Sequence, residues 1–148
     1  MYRRYNTRDV NFKCPKGWAE FRGECLLFSP EKKNWFEAHD TCRSHQAYLA
    51  TDDSAEKHSF MKKILSILDG FRNFFIGATD LVFEGQWLWV ESGTAQKGYT
   101  AWGPGKPDNN ASLSIKKNCL MCYLDELQIL LMPNRFSAED TDTEIGYY

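Results

Sequence analysis

The sequence predicts an α+β fold with two helices, several strands and one long irregular loop. Apolar and small residues recur at helical spacing in two early segments, at 34–45 and 53–70. The apolar run at 74–78 then predicts a central strand that is buried on both faces. Residues 91–118 are rich in Gly, Pro and Asn, which is typical of a long functional loop. The 148 residues are enough for one domain with a buried core.

Composition and charge exclude two classes of partner. The formal net charge is −2, and a nucleic-acid-binding domain would favour a basic surface. No apolar segment is long enough to cross a bilayer, and the first six residues are polar and basic, unlike a signal peptide. Aromatic residues make up 15% of the chain, more than packing alone requires. We therefore expect no nucleic acid, no membrane insertion, and aromatic side chains at a recognition surface.

The five cysteines predict an oxidising compartment. Because the number of cysteines is odd, one thiol is expected either to stay unpaired or to form a disulfide with a second chain. Since no signal peptide precedes the cysteines, we expect an incomplete chain, and a cytosolic protein with free thiols is the alternative.

The first elements follow from short local patterns. Residues 1–13 lack periodicity and predict a flexible N-terminal arm, so the domain is expected to span 14–148. Two apolar runs around Gly23 predict a small hairpin, closed by a disulfide between Cys14 and Cys25. Such a bridge contributes about 3 kcal/mol or less by the chain-entropy argument.

Two helices are expected next, with a short buried strand at 47–50 between them. The first covers 34–45 and turns Trp35 and Cys42 inward. The second has Asp53 as N-cap, in a capping box with the glutamate three residues on, and ends at Gly70. Its predicted buried stripe consists of Phe60, Ile64, Ile67 and Leu68.

The second half of the chain is predicted to be mostly extended. A Trp-rich strand at 87–90 follows the central strand, and the long loop leads to an apolar run at 120–132, which is strand-like or helical. An acidic tail occupies 133–148.

Several of these motifs together resemble the C-type lectin-like domain family in its long form. They are Cys14-Pro15-Lys16-Gly17-Trp18, Phe75-Ile76-Gly77-Ala78, and Trp87-Leu88-Trp89 followed by Glu91-Ser92-Gly93. The middle segment is similar to small lectins of the molluscan type. The resemblance implies a C-type lectin-like fold, with two helices flanking antiparallel sheets. It also implies a secreted or extracellular, non-enzymatic domain that binds carbohydrate or glycoprotein, with calcium as cofactor and a role in innate immunity.

The C-terminal third departs from the family pattern. The Trp-Asn-Asp strand of the family is absent, and the end of the chain looks like a last strand that is truncated or divergent before its cysteine. Cys42 and Cys119 would therefore lack their family partners. The pairing of Cys42, Cys119 and Cys122 stays open, with a bridge between the first two as one possibility.

The ligand loop is expected around Lys106-Pro107-Asp108, where the family carries Glu-Pro-Asn or Gln-Pro-Asp with the proline in cis. Its candidate residues are Trp102, Lys106, Asp108, Asn109 and Asn110. Asp108 and Asn109 are the candidate calcium ligands. Lys106 supplies a positive charge where the family has an oxygen, so calcium dependence is expected to be weakened or lost. The alternative is a turn-rich loop of Gly, Pro and Asn with no ligand.

Two residues near this loop have alternative interpretations. Trp102, like Tyr99, could stack on a sugar or a protein ligand, but we favour a core-anchoring role for it. Asn110-Ala111-Ser112 is an N-glycosylation sequon, or else a chance tripeptide.

Three hypotheses for the function result. The first is a carbohydrate-recognition lectin, and the second is a lectin-like module that binds protein independently of calcium and sugar. The third is a thiol-disulfide oxidoreductase using Cys119 and Cys122, although no βαβ context surrounds that pair. A zinc site at His39 and His45 is not expected, because residues six apart point to different sides of a helix. His58 is expected to face solvent.

Overall fold

The computed structural model describes the backbone and side chains of residues 13–68 and 74–107. It also describes the backbone at Asn73 and in four further strands, at 2–4, 117–123, 128–133 and 145–147. Statements about side chains below refer to residues 13–68 and 74–107. Within them, no helix combines the length and the apolar composition needed to span a membrane.

Two sheets and two helices form the fold. The elements in chain order are β1 Tyr2–Arg4, β2 Ala19–Phe21, β3 Glu24–Leu26, α1 Trp35–Ser44, α2 Ala55–Leu65, β4 Asn73–Thr79, β5 Leu88–Trp89, β6 Lys117–Tyr123, β7 Gln128–Pro133 and β8 Ile145–Tyr147. The smaller sheet has the order β1-β3-β2 and is antiparallel, and the larger has the order β5-β4-β6-β7. An additional strand, β8, pairs with β4 in parallel, whereas the other pairs of the larger sheet are antiparallel.

The N-terminal sheet contains the predicted hairpin. Strands β2 and β3 meet at Arg22-Gly23, where both residues have positive φ, and Cys14 is disulfide-bonded to Cys25. Strand β1 pairs with β3 on its other side, within the segment for which the sequence predicts a flexible arm. Residues 2–4 of the arm are thus paired in a sheet. The remainder, 5–12, lies outside the described residues, and the domain boundary at residue 14 stays a prediction.

Helix α1 agrees with the sequence prediction. Asn34 is its N-cap and forms a capping box with Glu37, in which each side chain bonds to the other residue's backbone N–H. Trp35 and Cys42 are buried. The Trp35 indole N–H donates to the carbonyl of Ile76 at 2.9 Å, which ties the helix to the central strand.

Helix α2 differs from the prediction at both ends. Its N-cap is Ser54, whose hydroxyl accepts from the N–H of Lys57, while Asp53 accepts a hydrogen bond from Thr51 instead. The helix ends at Leu65 rather than at Gly70, which lies outside the described residues.

The predicted buried stripe of α2 was wrong in its residues, since Phe60, Ile64 and Leu68 are only half-buried and Ile67 is exposed. The buried residues are Lys57, His58, Met61 and Leu65. Ile67 is 68% exposed because the helix has ended before it, so the helical spacing no longer applies to this residue. Phe60 is partly buried against the core, with its ring centroid 5.0 Å from that of Phe21 and the two ring planes tilted by 38°.

The central strand β4 organises the core, as the sequence predicts. Phe74 and Phe75 are fully buried on opposite faces and belong to two separate apolar clusters. Residues 47–50 pack beside this strand, but they form no strand of their own, contrary to the prediction. Their link to β4 is a hydrogen bond from the N–H of Gly77 to the carbonyl of Ala50 at 2.9 Å.

The C-terminal apolar run resolves into two strands. β6 and β7 pair across the segment 124–127, which lies outside the described residues, as does most of the acidic tail. Strand β8 lies within that tail and pairs with β4 from Asn73↔Ile145 to Phe75↔Tyr147.

Candidate functional site

The long loop begins with a tight reversal after β5. Trp89 donates its N–H to the carbonyl of Thr94 at 2.9 Å, and Gln96 donates to the carbonyl of Trp87 at 2.8 Å. An antiparallel bridge joins Leu88 to Ala95 between these bonds. The chain therefore runs back along β5 and returns to the end of the sheet where β4 ends and β5 begins.

The loop is anchored there by two tryptophans. The ring of Trp102 meets the ring of Trp87 edge-on, with 5.5 Å between centroids. Trp87 is buried in the main apolar cluster, and Trp102 packs against that cluster as a partly buried side chain. Such aromatic pairs contribute about 0.5–1.5 kcal/mol beyond the area they bury. This packing supports the core-anchoring interpretation of Trp102, whose contact with a ligand stays a prediction.

Residues 103–107 form a turn immediately after this anchor. The N–H of Lys106 donates to the carbonyl of Gly103 at 3.0 Å, and Gly105 at the tip has φ of +72°. The peptide bond between Lys106 and Pro107 is cis. Asp108, Asn109 and Asn110 lie outside the described residues, so the sequon and the candidate calcium ligands stay predictions.

The Lys106 side chain itself cannot serve as an oxygen ligand of calcium. Calcium takes about 6–8 oxygen ligands, whereas Lys106 presents an ammonium group. Among the described residues, no group of three or more His, Cys, Asp or Glu side chains could hold a metal ion. Whether Asp108 and Asn109 bind calcium stays a prediction, because both lie outside the described residues.

A buried polar pair, Asp52 and His58, contacts the long loop, and the sequence analysis did not predict it. The Asp52 carboxylate is 0% exposed, and its Oδ2 lies 2.7 Å from Nδ1 of His58. The His58 ring in turn contacts the ring of Tyr99 in the long loop, at 5.9 Å between centroids. The prediction that His58 faces solvent was thus wrong. Its environment is created by the packing of α2 against the loop, which no local pattern reveals.

A second feature that sequence reasoning missed is an apolar tip between β4 and β5. Leu81, Val82 and Phe83 are 41, 66 and 59% exposed. Three consecutive apolar residues within a segment bounded by Asp80 and Gly85 are the sequence signal that could have identified it.

The cysteines give no redox site among the described atoms. Cys42 is a buried free thiol, and burial raises its pKa above the ordinary value of 9.0. Cys119 and Cys122 lie in the middle of β6, where their backbones pair with β4 and β7, and not at the start of a helix. The free Cys42 thiol is bonded to neither, so the bridge between Cys42 and Cys119 is not formed in this structure. The side chains of Cys119 and Cys122 lie outside the described residues, so whether these two pair with each other stays open.

His39 in α1 and His45 at its C-cap have local partners. His39 stacks on Trp35 at 5.4 Å with 10° between the ring planes. Nδ1 of His45 lies 2.9 Å from the carbonyl oxygen of Thr41. Both contacts are made within the helix or its C-cap.

Comparison with known proteins gives matches over most of the chain. A family model described as "Lectin C-type domain" matches residues 31–126. Perlucin of the mollusc Haliotis laevigata is 36% identical over 107 residues, which are 72% of this chain and 66% of that protein. A perlucin-like protein of Mytilus galloprovincialis is 29% identical over 132 residues, 82% of each chain.

A solved structure agrees with these sequence matches. The cow C-type carbohydrate-recognition domain of CD23, determined in the presence of GlcNAc2Man3 oligosaccharide, superposes with a TM-score of 0.71 at 25% identity. The match covers 91% of this chain and 92% of that one. The chain spans less than two thirds of the Haliotis protein, and less than half of several other curated relatives.

Proposed function

Because the chain belongs to the C-type lectin domain family, whose members are binding domains and not enzymes, we propose that it recognises carbohydrate through the loop that follows Trp102. We further propose that its calcium dependence is weakened or lost. The observation that carries the proposal is the packing of Trp102 on Trp87, which holds residues 103–107 as an anchored surface turn. An anchored loop loses less conformational entropy when a ligand binds.

The weakened calcium dependence rests on Lys106. A monovalent and a divalent cation about 4 Å apart repel by about 2 kcal/mol even at the dielectric constant of water. Calcium sites of extracellular modules often have Kd values of only about 10⁻⁴–10⁻³ M, or roughly 4–5.5 kcal/mol in total. Losing one oxygen ligand and gaining this repulsion removes a large part of that affinity.

The remaining loop residues are assigned to ligand contact under this proposal. Asp108, Asn109 and Asn110 supply carboxylate and amide groups, which are hydrogen-bond partners for sugar hydroxyls. If Asn110 is glycosylated, its glycan lies beside the ligand, and so unglycosylated protein is needed for binding measurements. The Cys14–Cys25 disulfide supports an extracellular location, because disulfides persist in oxidising compartments.

A second candidate function is a lectin-like module that binds a protein without calcium or sugar. Lys106 favours it, because an ammonium group at this turn can pair with a carboxylate of a partner instead of a metal. The partner would then be a protein that exposes Asp or Glu carboxylates on the surface it presents to this turn.

Retention on immobilised sugars tests the proposal. The disulfide-bonded, unglycosylated domain is applied to mannose, galactose and N-acetylglucosamine matrices, each with calcium and with EDTA. We expect retention on at least one matrix, with at most a partial loss in EDTA. Asp108→Ala should reduce retention, whereas Asp40→Ala, whose carboxylate lies on the exposed face of α1, should not. A folded domain that elutes unretained from all three matrices under both conditions would exclude sugar recognition of these classes and favour the protein-binding alternative.

A further inference from the structure

The apolar tip between β4 and β5 is a loop that is closed by hydrogen bonds of its own. The buried Asp80 carboxylate accepts the N–H of Gly85 at 3.0 Å, which links the two ends of the segment. The N–H of Gln86 donates to the carbonyl of Phe83 at 2.9 Å. The apolar side chains are thus displayed on a preformed turn.

The tip protrudes from the fold. Leu81, Val82 and Phe83 are 41, 66 and 59% exposed, and together they present on the order of 300 Å² of surface. The three residues that follow, 84–86, are exposed as well, so six consecutive residues face outward. Single exposed apolar residues need no explanation, but a contiguous apolar patch on an ordered loop indicates a binding surface.

The area and the shape of the patch discriminate between possible occupants. A stable protein interface buries about 800 Å² on each partner, and two tips that met in a dimer would bury only about 600 Å² in total. A protrusion does not enclose a small molecule as a pocket does. The lipids of a bilayer rearrange around an inserted group, and such binding scales with the apolar area that enters. The tip therefore fits a lipid surface better than a protein or a small ligand.

The backbone of the tip is prepared for a lipid environment. Peptide groups that enter lipid must form their hydrogen bonds within the protein, because lipid offers no partners. In addition to the two bonds above, the N–H of Leu81 donates to the Thr79 hydroxyl at 3.2 Å. Three N–H groups of the segment 81–86 are therefore paired before any lipid is contacted, which lowers the cost of removing them from water.

The charge pattern selects the kind of lipid. No lysine or arginine occurs between residues 79 and 90, and the tip is followed by Glu84, which is exposed. Attraction to anionic lipids depends on Lys or Arg close to the membrane surface. A carboxylate next to the tip instead favours headgroups that carry an ammonium group. The tip therefore fits a zwitterionic bilayer, such as one of phosphatidylcholine.

We propose that the apolar tip inserts Leu81, Val82 and Phe83 into the interface of a zwitterionic phospholipid bilayer, as a peripheral and reversible membrane contact. Three side chains bury less apolar area than an acyl anchor, so the contact is weak. It spans no bilayer, whereas the expectation of no membrane insertion considered only apolar segments long enough to cross one. It uses none of the residues of the proposed sugar site and does not depend on that function.

Flotation of the disulfide-bonded protein with sugar-free vesicles tests this inference. We expect the protein to bind vesicles of phosphatidylcholine, and phosphatidylserine mixed into them should not strengthen binding. The triple variant L81S/V82S/F83S should lower the partition coefficient at least about tenfold, because it removes the apolar area that enters the bilayer. Ile67→Ser is the matched control. It removes another apolar side chain, 68% exposed, just beyond α2, and should leave the partition coefficient unchanged.

A second measurement remains informative if the triple variant does not fold. Phe83→Trp places an indole at the tip, and its fluorescence should be quenched by vesicles of brominated phosphatidylcholine to a greater extent than that of the wild-type protein. Ile67→Trp should show no such additional quenching.

Four outcomes would overturn the proposal. They are an absence of binding to phosphatidylcholine vesicles, binding that survives the triple variant, binding that requires phosphatidylserine, and no additional quenching of Phe83→Trp. A dimer that the triple variant dissociates, with no vesicle binding by the wild-type protein, would assign the apolar tip to a second copy of the chain instead.

Discussion

Lys57 on α2 and Glu24 on β3 form an ion pair, with 2.8 Å between Nζ and Oε2, in which the glutamate side chain is 25% exposed. The lysine side chain is only 3% exposed. Its ammonium group also donates to the hydroxyl of Thr51 at 2.9 Å. The pair thus joins the second helix to the N-terminal sheet. A charge at this depth is tolerated only because its partners replace the lost hydration.

Removing one member of this pair should destabilise the fold. Lys57→Met retains the aliphatic volume but leaves the Glu24 carboxylate without its cation, and we expect the free energy of unfolding to fall by about 2–4 kcal/mol. Urea denaturation measures it. Lys62→Met, on the exposed side of the same helix, is the control and should change stability by less than about 0.5 kcal/mol.

A double-mutant cycle with Glu24→Gln isolates the pairwise energy. The double variant should be less destabilised than the sum of the two single variants, by at least about 1 kcal/mol. Additive effects would show that the pair contributes no coupling.

Gly77 permits a close approach of two backbones. A Cβ atom at this position would lie 2.5 Å from the carbonyl oxygen of Leu49, a distance that real Cβ atoms essentially never show. Gly77→Ala should therefore displace residues 47–50 from β4 and cost about 1–3 kcal/mol, as overpacking does. Thermal and urea unfolding check this. If the free energy of unfolding falls by less than about 0.5 kcal/mol, the two backbones can move apart at little cost and the prediction is wrong.

The Cys42 thiol should be inert in the folded protein. Burial raises its pKa above 9.0, so the folded protein keeps the proton at pH values where the unfolded chain loses it. The protonated Cys42 thiol therefore contributes fully to the free energy of unfolding at pH values below its ordinary pKa. This contribution is lost as the pH rises through the pKa of the thiol in the folded protein.

Mass-resolved labelling with iodoacetamide at about pH 8 tests this inertness, since the thiolate is the reactive form. Cys42 should react at least about tenfold more slowly in buffer than in urea. Equal rates would mean that the thiol is accessible or ionised in the native state.

The Asp52–His58 pair should hold the long loop on α2. His58→Ala removes the ring that contacts Tyr99 and leaves a buried carboxylate without its donor. We expect the free energy of unfolding to fall by about 2–3 kcal/mol and the retention on sugar matrices to weaken. His45→Ala, at an exposed helix end, should have no such effect. If His58→Ala lowers stability but leaves retention unchanged, the pair has no role in positioning the loop.

Lys106 should be the residue that limits calcium affinity. Lys106→Glu replaces a repelling charge by an oxygen ligand and should tighten calcium binding at least tenfold, since about 2 kcal/mol of repulsion is removed. Lys97→Glu makes the same charge change elsewhere in the loop and serves as the control. Calcium titration by calorimetry measures both. Equal gains in the two variants would show a general charge effect and not a site at residue 106.

Elements encoded by nearby residues could be predicted from the sequence. The hairpin around Gly23, the capped helix α1 and the apolar strand β4 each depend on contacts within a few residues or on a uniform burial pattern. The tryptophan anchor of the ligand loop was also foreseen, because Trp102 directly precedes a turn-rich segment. The start of α2 was misplaced by one residue, since Asp53 and Ser54 are both good N-caps and local chemistry does not choose between them.

The sequence by itself therefore determined the family, the order of the main elements and the position of the candidate ligand loop. Only the tertiary structure decided which face of α2 is buried, that Lys57 and His58 lie inside, and that the ring of Trp102 packs on that of Trp87. Helical periodicity defines faces but not the neighbours that cover them. Burial of a charged or aromatic side chain depends on partners that are distant in sequence, and these become adjacent only when the sheets and helices pack.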